Sequence, residues 1–178
     1  MTNQPEFSRP VRIDTLGGTA REISIGANEE ERAALARRFN LVGIDHLSAE
    51  LSLRRSGDEV TAKGSLRATV TQSCVATSEP VPESVEEAFE IHFRPQPARP
   101  SEEDEIELSE GELDVVFYDG AAIDVGEAVA ETMSLSLEPY PRAPNADEVL
   151  RGAGVKSEEE AGPFGALAAL REKLAAKD

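Results

Sequence analysis

Two long runs of alternating apolar and polar residues dominate the first half of the chain. Apolar residues occupy every second position from 47 to 53 and most from 60 to 70, and Ser56-Gly57-Asp58 separates the two runs. A period of two over this length predicts an antiparallel hairpin with one buried and one solvated face. A similar run from Val85 to Phe93 predicts a third long strand. Gly64 stands in the apolar register, where it indicates either a bulge or a close backbone approach.

Two helices are predicted from their capping signals. Asn28 with Glu31 three residues later matches a capping box. Asp124 with Glu127 predicts a second helix start, and Pro139 must end that helix because proline cannot continue it. Together with the short apolar runs, these signals predict a helix at about 29–39, a helix after residue 124, and short strands at 11–13, 23–25 and 113–118.

These elements predict an α+β fold, in which a mainly antiparallel, curved sheet is packed by two helices. We expect one domain over residues 8–141, a flexible linker over 142–161 and a short amphipathic helix over 162–178. Pro163 suits the first turn of that last helix. Its apolar side is formed by Phe164, Leu167, Leu170 and Leu174. Residues 101–112 carry seven acids and no base, which indicates a solvated loop.

The charge of the chain limits its partners. In 178 residues, 35 Asp and Glu outweigh 18 Lys and Arg, and the net charge is −17. A field of this sign repels phosphate backbones and anionic lipid, so we expect no DNA partner and no membrane partner. Contact with RNA must then be local or pass through a protein, although the charge could also serve solubility alone. No apolar run approaches the roughly 18 residues of a membrane span, and the N-terminus lacks signal-peptide features, which favours a cytoplasmic protein.

Catalytic and metal-binding patterns are absent from the sequence. No phosphate loop, dinucleotide turn, zinc-protease helix or serine-hydrolase elbow occurs, and we interpret His46 and His92 as surface residues. Cys74, the only cysteine, excludes an internal disulfide. A nucleophilic role would need a nearby base and a lowered thiol pKa, whereas Glu79 should raise the pKa. The sequence therefore predicts no catalytic residue, no cofactor and no metal, with Cys74 as a half-buried structural residue.

Three blocks of the chain nevertheless resemble the YceD family of large ribosomal RNA subunit accumulation proteins. The first runs from Gly64 through Cys74 to Glu79-Pro80-Val81. The second is Ile123-Asp124-Val125-Gly126-Glu127 with the following Leu135-Ser136-Leu137, and the third is Pro163-Phe164-Gly165-Ala166-Leu167-Ala168-Ala169-Leu170. The blocks follow the family's order and span most of the chain, and their ordered set is more specific than any one of them.

The resemblance implies a role in accumulation or processing of the large-subunit (23S) ribosomal RNA, and it supplies no catalytic residue. Many members carry two cysteines three residues apart in the turn and more in a later loop, a set typical of structural zinc. Here the turn has Cys74 and Thr77, and the loop 142–146 has no cysteine. We therefore expect packing and hydrogen bonds to hold the turn formed by Cys74, Glu79 and Pro80.

The sequence supports one preferred function and two rivals. The preferred function is a non-enzymatic ribosome-biogenesis factor whose partners are the large-subunit precursor RNA or its proteins. The rivals are an acidic interaction adaptor acting away from ribosomes, with the terminal helix as ligand, and a thiol enzyme built on Cys74. Candidate binding residues are the cations of the solvated sheet face, Lys63, Arg67 and Arg94 with Arg54, and the apolar side of the terminal helix, Phe164, Leu167 and Leu170. The cations could instead balance nearby glutamates, and the helix could pack on its own sheet.

Overall fold

The computed structural model describes residues 5–97 and 114–155. Among these residues it contains two compact units. The first unit comprises 5–72, 82–97 and 114–139, and the second comprises 73–81 and 140–155. The predicted terminal helix and the acidic segment 101–112 lie outside the described residues. The domain limits predicted from the sequence stay a prediction.

The first unit is built on a five-stranded sheet. Its strands, in spatial order, are β2 (Arg21–Gly26), β3 (Gly43–Ser56), β4 (Glu59–Ser73), β5 (Pro80–Pro95) and β6 (Val115–Tyr118). The β2–β3 and β3–β4 pairs are antiparallel, and β6 runs parallel to β5. The predicted α+β class with a mainly antiparallel, curved sheet is confirmed. Strand β6 falls within the short strand predicted at 113–118, but its parallel orientation was not predicted.

The alternating runs place one face of this sheet in the core. The apolar positions of β3, β4 and β5 are buried, as the period of two predicts. They are Leu47, Ala49, Leu51, Leu53, Val60, Ala62, Leu66, Ala68, Val70, Val85, Phe89, Ile91 and Phe93. The opposite face is solvated and carries the predicted cations. A function that uses exposed side chains of these three strands must therefore use that second face.

Two helices belong to the same core. Helix α1 (Glu29–Arg38) begins with the predicted capping box, in which the side chain of Asn28 accepts a hydrogen bond from the backbone N–H of Glu31 and the Glu31 carboxylate accepts one from the N–H of Asn28. Helix α2 (Val125–Leu135) is capped by Asp124, also as predicted. Apolar residues of both helices, including Leu35 and Met133, are fully buried.

Asp124 also fixes the N-terminal strand of the chain. Its Oδ1 accepts hydrogen bonds from the N–H groups of Gly126 and Glu127 at 3.0 and 3.1 Å, which caps α2. The same oxygen accepts one from the N–H of Arg9 at 2.8 Å, and Oδ2 accepts one from the hydroxyl of Ser8 at 2.5 Å. These bonds lie beside a small ribbon in which β1 (Pro10–Arg12) pairs antiparallel with β7 (Ala122–Asp124). One carboxylate thus joins the start of the chain to the start of α2.

Replacing Asp124 with alanine is expected to lower the free energy of unfolding by about 2 kcal/mol, since it removes a helix cap and leaves part-buried donors without their acceptor. Asp124→Asn keeps an amide oxygen for the helix N–H groups and should lose less than half as much. Urea denaturation of both variants measures the difference. Equal losses in the two variants would show that the hydrogen bonds accepted by Asp124 Oδ1 do not contribute to the free energy of unfolding.

Three further features of the described chain were not predicted. Strand β7 has only three residues, which are too few to form an alternating pattern that would predict it. A short 3-10 turn at Ile13–Thr15 follows β1. Helix α3 (Ala146–Gly152) lies within the segment 142–161, which the sequence predicts to be a flexible linker. Its first residue, Ala146, is buried, and hydrophobic periodicity does not indicate this because the sequence around it is polar.

Candidate functional site

The turn that contains Cys74 is closed by backbone hydrogen bonds. The N–H of Cys74 donates to the carbonyl of Glu79 at 2.8 Å, and the N–H of Ser78 donates to the carbonyl of Cys74 at 2.9 Å. Ser78 adopts a positive φ of 62°, a conformation that few residues other than glycine occupy. These bonds give the turn a fixed shape around the cysteine, as the sequence predicts for a structural turn.

The segment after residue 140 completes the surroundings of the thiol. The N–H of Val75 donates to the carbonyl of Pro141 at 2.9 Å. The N–H of Ala143 donates to Cys74 Sγ at 3.2 Å. Ala143 and Ala146 pack against Cys74 in a small apolar cluster of the second unit. Cys74 is only 2% exposed, so it is more deeply buried than the half-buried residue that the sequence predicts.

Hydrogen-bond donors around Cys74 change its acidity. The N–H of Ala143, followed by the side chain of Thr77, lowers the pKa of Cys74 to about 7. The sequence-based expectation that Glu79 would raise this pKa is therefore wrong, because the decisive donor comes from a residue far away in the chain. Donors aimed at sulfur stabilise the thiolate, yet a buried thiol whose partners are N–H groups and a hydroxyl has no general base to activate it.

The donor set of this turn does not fit zinc. A tetrahedral structural site needs four nitrogen or sulfur ligands. Cys74 supplies one sulfur, whereas Ala143 and Ala146, which lie against it, supply none. Among the described residues, no group of three or more His, Cys, Asp and Glu side chains is placed to hold a metal ion. The alanines instead fill this space with apolar side chains.

Cys74→Ser and Cys74→Ala are both expected to fold and to retain function nearly intact, and the purified protein should contain no stoichiometric zinc.

The thiol has a lower pKa in the folded protein than its ordinary value of 9.0. Its ionisation therefore stabilises the fold fully above pH 9.0, and this contribution is lost as the pH falls through about 7. The stability advantage of the unmodified protein over Cys74→Ser should grow from pH 7 to pH 9.

Elemental analysis and urea denaturation across this pH range check these expectations. One zinc ion per chain, or a loss of function in Cys74→Ala without a loss of stability, would contradict the structural role of Cys74. A stability difference that does not change with pH would contradict the lowered thiol pKa.

The predicted cations of the sheet lie on its solvated face, and Lys63, Arg67 and Arg94 each have a carboxylate partner. Lys63 Nζ lies 2.8 Å from Glu90 Oε2, and Arg67 Nε lies 3.1 Å from Glu86 Oε1. Exposed pairs of this kind are worth little, because water screens them and holding the side chains costs entropy. The carboxylates therefore reduce the positive field of the face without fixing the cations firmly.

Arg94 belongs to a tighter group on the same face. Its Nε donates to Glu59 Oε2 at 2.7 Å, and His92 Nδ1 lies 3.1 Å from Glu59 Oε1. Arg94 and then His92 lower the pKa of the Glu59 carboxyl. This arrangement orders three side chains around one carboxylate. His92 lies on the polar register, as the sequence predicts, and has Glu59 as a partner.

The remaining predicted binding residues, Phe164, Leu167 and Leu170, lie outside the described residues, so their role stays a prediction. Glu79 takes part in the turn through its carbonyl oxygen, and Pro80 is the first residue of β5. Ala143 and Ala146 were missed by the sequence analysis. Their three-residue spacing, which repeats the spacing of Cys74 and Thr77, is the signal that could have found them.

Comparison with known proteins identifies the family. The family model described as "Large ribosomal RNA subunit accumulation protein YceD" matches residues 62–171. The chain belongs to the YceD family. The match includes the Cys74 turn, Gly126 and the block that starts at Pro163, so it confirms the resemblance drawn from the motifs. Neither the curated proteins nor the solved structures contain a match. In the part of the chain that the structure describes, no helix has the length and apolar character needed to span a bilayer.

Proposed function

We propose that this YceD protein is a non-enzymatic ribosome-biogenesis factor, acting in the cytoplasm, that supports accumulation or processing of the 23S ribosomal RNA. The observation that carries the proposal is the family match over residues 62–171. The family is described by its effect on an RNA rather than by a reaction. The burial of Cys74, with hydrogen-bond donors but no base around it, supports a structural rather than catalytic cysteine.

The charge distribution supports a mechanism through proteins. A net charge of −17 opposes approach to an RNA backbone. The sheet-face cations Lys63, Arg67 and Arg94 already have glutamate partners, so a phosphate group would have to displace a carboxylate from each. Large-subunit proteins that bind RNA are themselves basic, and an acidic surface complements them. In this proposal the protein acts mainly by binding such proteins, and any RNA contact is local.

Depletion of the protein from its cells, followed by sucrose-gradient sedimentation, tests the function. The proposal expects less 23S RNA, fewer mature large subunits, and co-sedimentation of the protein with large-subunit precursors. Normal 23S RNA after depletion would reject the proposal. A stable complex with one protein partner that never sediments with ribosomal particles would favour the acidic adaptor acting away from ribosomes.

A pair of double variants tests whether the sheet face contacts RNA. If it does, Lys63→Gln with Arg67→Gln should weaken association with precursor particles severalfold, because two cations are lost. Glu86→Gln with Glu90→Gln should strengthen it, because the same cations lose their partners. Both variants should melt within a few degrees of the unmodified protein, since exposed ion pairs contribute at most about 1 kcal/mol. Unchanged association in both variants would show that this face of the sheet does not contact RNA.

A further inference from the structure

A groove with an apolar floor lies between strand β6 and helix α2 in the first unit. Phe93, Ile123 and Ala128 form its floor and are each at most 5% exposed. Asp119, Glu127 and Glu131 line its rim, and none of the residues that line the groove is Lys or Arg. The groove therefore combines an apolar surface with a rim of one charge sign.

The rim carries an excess of negative charge that the surrounding cations do not neutralise. Arg38 lies 2.6 Å from Glu127, 3.0 Å from Glu6 and 3.8 Å from Glu131, so one guanidinium is shared by three carboxylates. Glu131 is the most exposed of the three, with half of its side chain accessible. Asp119 is also exposed, and no hydrogen bond or ion pair holds its carboxylate within the described residues. A cation arriving at the rim meets the carboxylate of Asp119 and that of Glu131, whose contact with Arg38 is the longest of the three.

Strand β6 offers backbone groups beside this rim. The N–H of His92 donates to the carbonyl of Asp114 at 2.8 Å, and the N–H of Gln96 donates to the carbonyl of Tyr118 at 3.0 Å. In a parallel pair, alternate residues direct their polar groups to the same neighbour. The polar groups of Val115 and Phe117 therefore point away from β5. Within the described residues, β6 is the edge of the sheet and pairs only with β5.

An exposed aromatic residue marks this edge. Phe117 lies on this strand with 55% of its surface exposed. A segment that extends the sheet at β6 would pair with the outward backbone groups and cover part of Phe117. Strand addition of this kind obtains affinity from main-chain hydrogen bonds and specificity from alternate side chains.

We propose that the groove between β6 and α2 binds an extended, Lys- and Arg-rich segment of a large-subunit ribosomal protein, which adds to the edge of β6 that no strand of the described residues covers. Its cations pair with Asp119 and Glu131, and its intervening apolar side chains contact Val116 and Tyr118, which line the groove and are half-buried. This inference rests on the proposed function and names the surface through which that function is carried out.

Site-specific photo-crosslinking of the full chain tests the groove directly. A benzoylphenylalanine in place of Phe117 is irradiated with large-subunit proteins that have been purified free of RNA, and the linked peptides are identified by mass spectrometry. A second probe in place of Val42, which is 60% exposed and lies outside the groove, is the control. The proposal expects links from position 117 to Lys- and Arg-rich segments, with at least fivefold lower yield from position 42.

A matched pair of charge variants tests the role of the rim. Asp119→Asn with Glu131→Gln should lower the cross-link yield from position 117 at least fivefold. Glu22→Gln with Glu87→Gln makes the same change in net charge at exposed carboxylates elsewhere and should leave the yield within twofold. Equal losses in both variants would overturn the proposal, because they would reflect net charge alone. Links from position 117 only to this chain itself, or no links, would also overturn it.

The outcomes separate this inference from the proposed function. If the protein co-sediments with large-subunit precursors but position 117 forms no link to a basic segment, the groove is the wrong surface and the function stands. Links from position 117 only to RNA in intact precursor particles would also show that the groove is the wrong surface, and the proposed function would still stand. If depletion leaves 23S RNA normal, the function fails, whatever position 117 contacts.

Discussion

Gly126→Ala is expected to lower the free energy of unfolding by about 3 kcal/mol, at the upper end of what overpacking costs. A Cβ at this position would lie 3.0 Å from Cγ and from the backbone nitrogen of Arg9, and closer still to the carbonyl oxygen of Phe7. The segment that carries these atoms cannot simply move away. Ser8 and Arg9 are bound to Asp124, and the N–H of Val125 donates to the carbonyl of Arg9 at 3.2 Å.

The sign of this effect distinguishes it from ordinary helix propensity. Glycine to alanine within a helix normally stabilises by up to about 1 kcal/mol, so a large loss at Gly126 can come only from crowding. Gly152, the other helical glycine among the described residues, has no heavy atom within 4 Å of an added Cβ. Gly152→Ala should be neutral or slightly stabilising in the same urea denaturation experiment. A Gly126→Ala protein as stable as the unmodified one would contradict the packing of the N-terminal segment on α2.

Features that depend on neighbouring residues could be predicted from the sequence. The alternation that defines β3 and β4 predicted which of their side chains are buried, because the period of two is a property of one strand. The caps at Asn28 and Asp124 were also predicted, since a cap joins residues two or three positions apart. Strand β7 was not, because three residues carry no pattern and their partner β1 lies more than a hundred positions away.

The surroundings of Cys74 and of the sheet cations also depend on residues that are distant in the chain, and these contacts could not be predicted from the sequence. The turn itself was predicted from its motif, but the lowered thiol pKa depends on Ala143, which is 69 positions away in the chain. The alternation placed Lys63 and Arg67 on the solvated face. Their pairing with Glu90 and Glu86 depends on the alignment of β4 with β5, which no single run of sequence specifies.

Gly64→Ala is the second substitution with a large expected effect, again a loss of about 3 kcal/mol in the free energy of unfolding. Gly64 pairs with Leu51 across β3 and β4. An added Cβ would lie 2.6 Å from Leu51 Cβ and 2.7 Å from Leu51 Cα, and closer still to the carbonyl oxygen of Glu50. Opposed residues in antiparallel strands ordinarily keep their Cβ atoms about 4.5–5.5 Å apart. Of the two alternatives that the sequence left open, the structure supports the close backbone approach, since the one register shift between β3 and β4 lies at Ile44/His46.

Two further variants locate the origin of this loss. Gly43 is also a strand glycine, and an added Cβ there has nothing within 4 Å, so Gly43→Ala should change stability by less than about 0.5 kcal/mol. Leu51→Ala in the Gly64→Ala background should not restore stability, because alanine retains the Cα, the Cβ and the preceding carbonyl that an added Cβ would meet. Thermal and urea denaturation of the four proteins measure these differences. Recovery in the double variant would show that the outer Leu51 side chain, and not the approach of the two backbones, requires glycine at position 64.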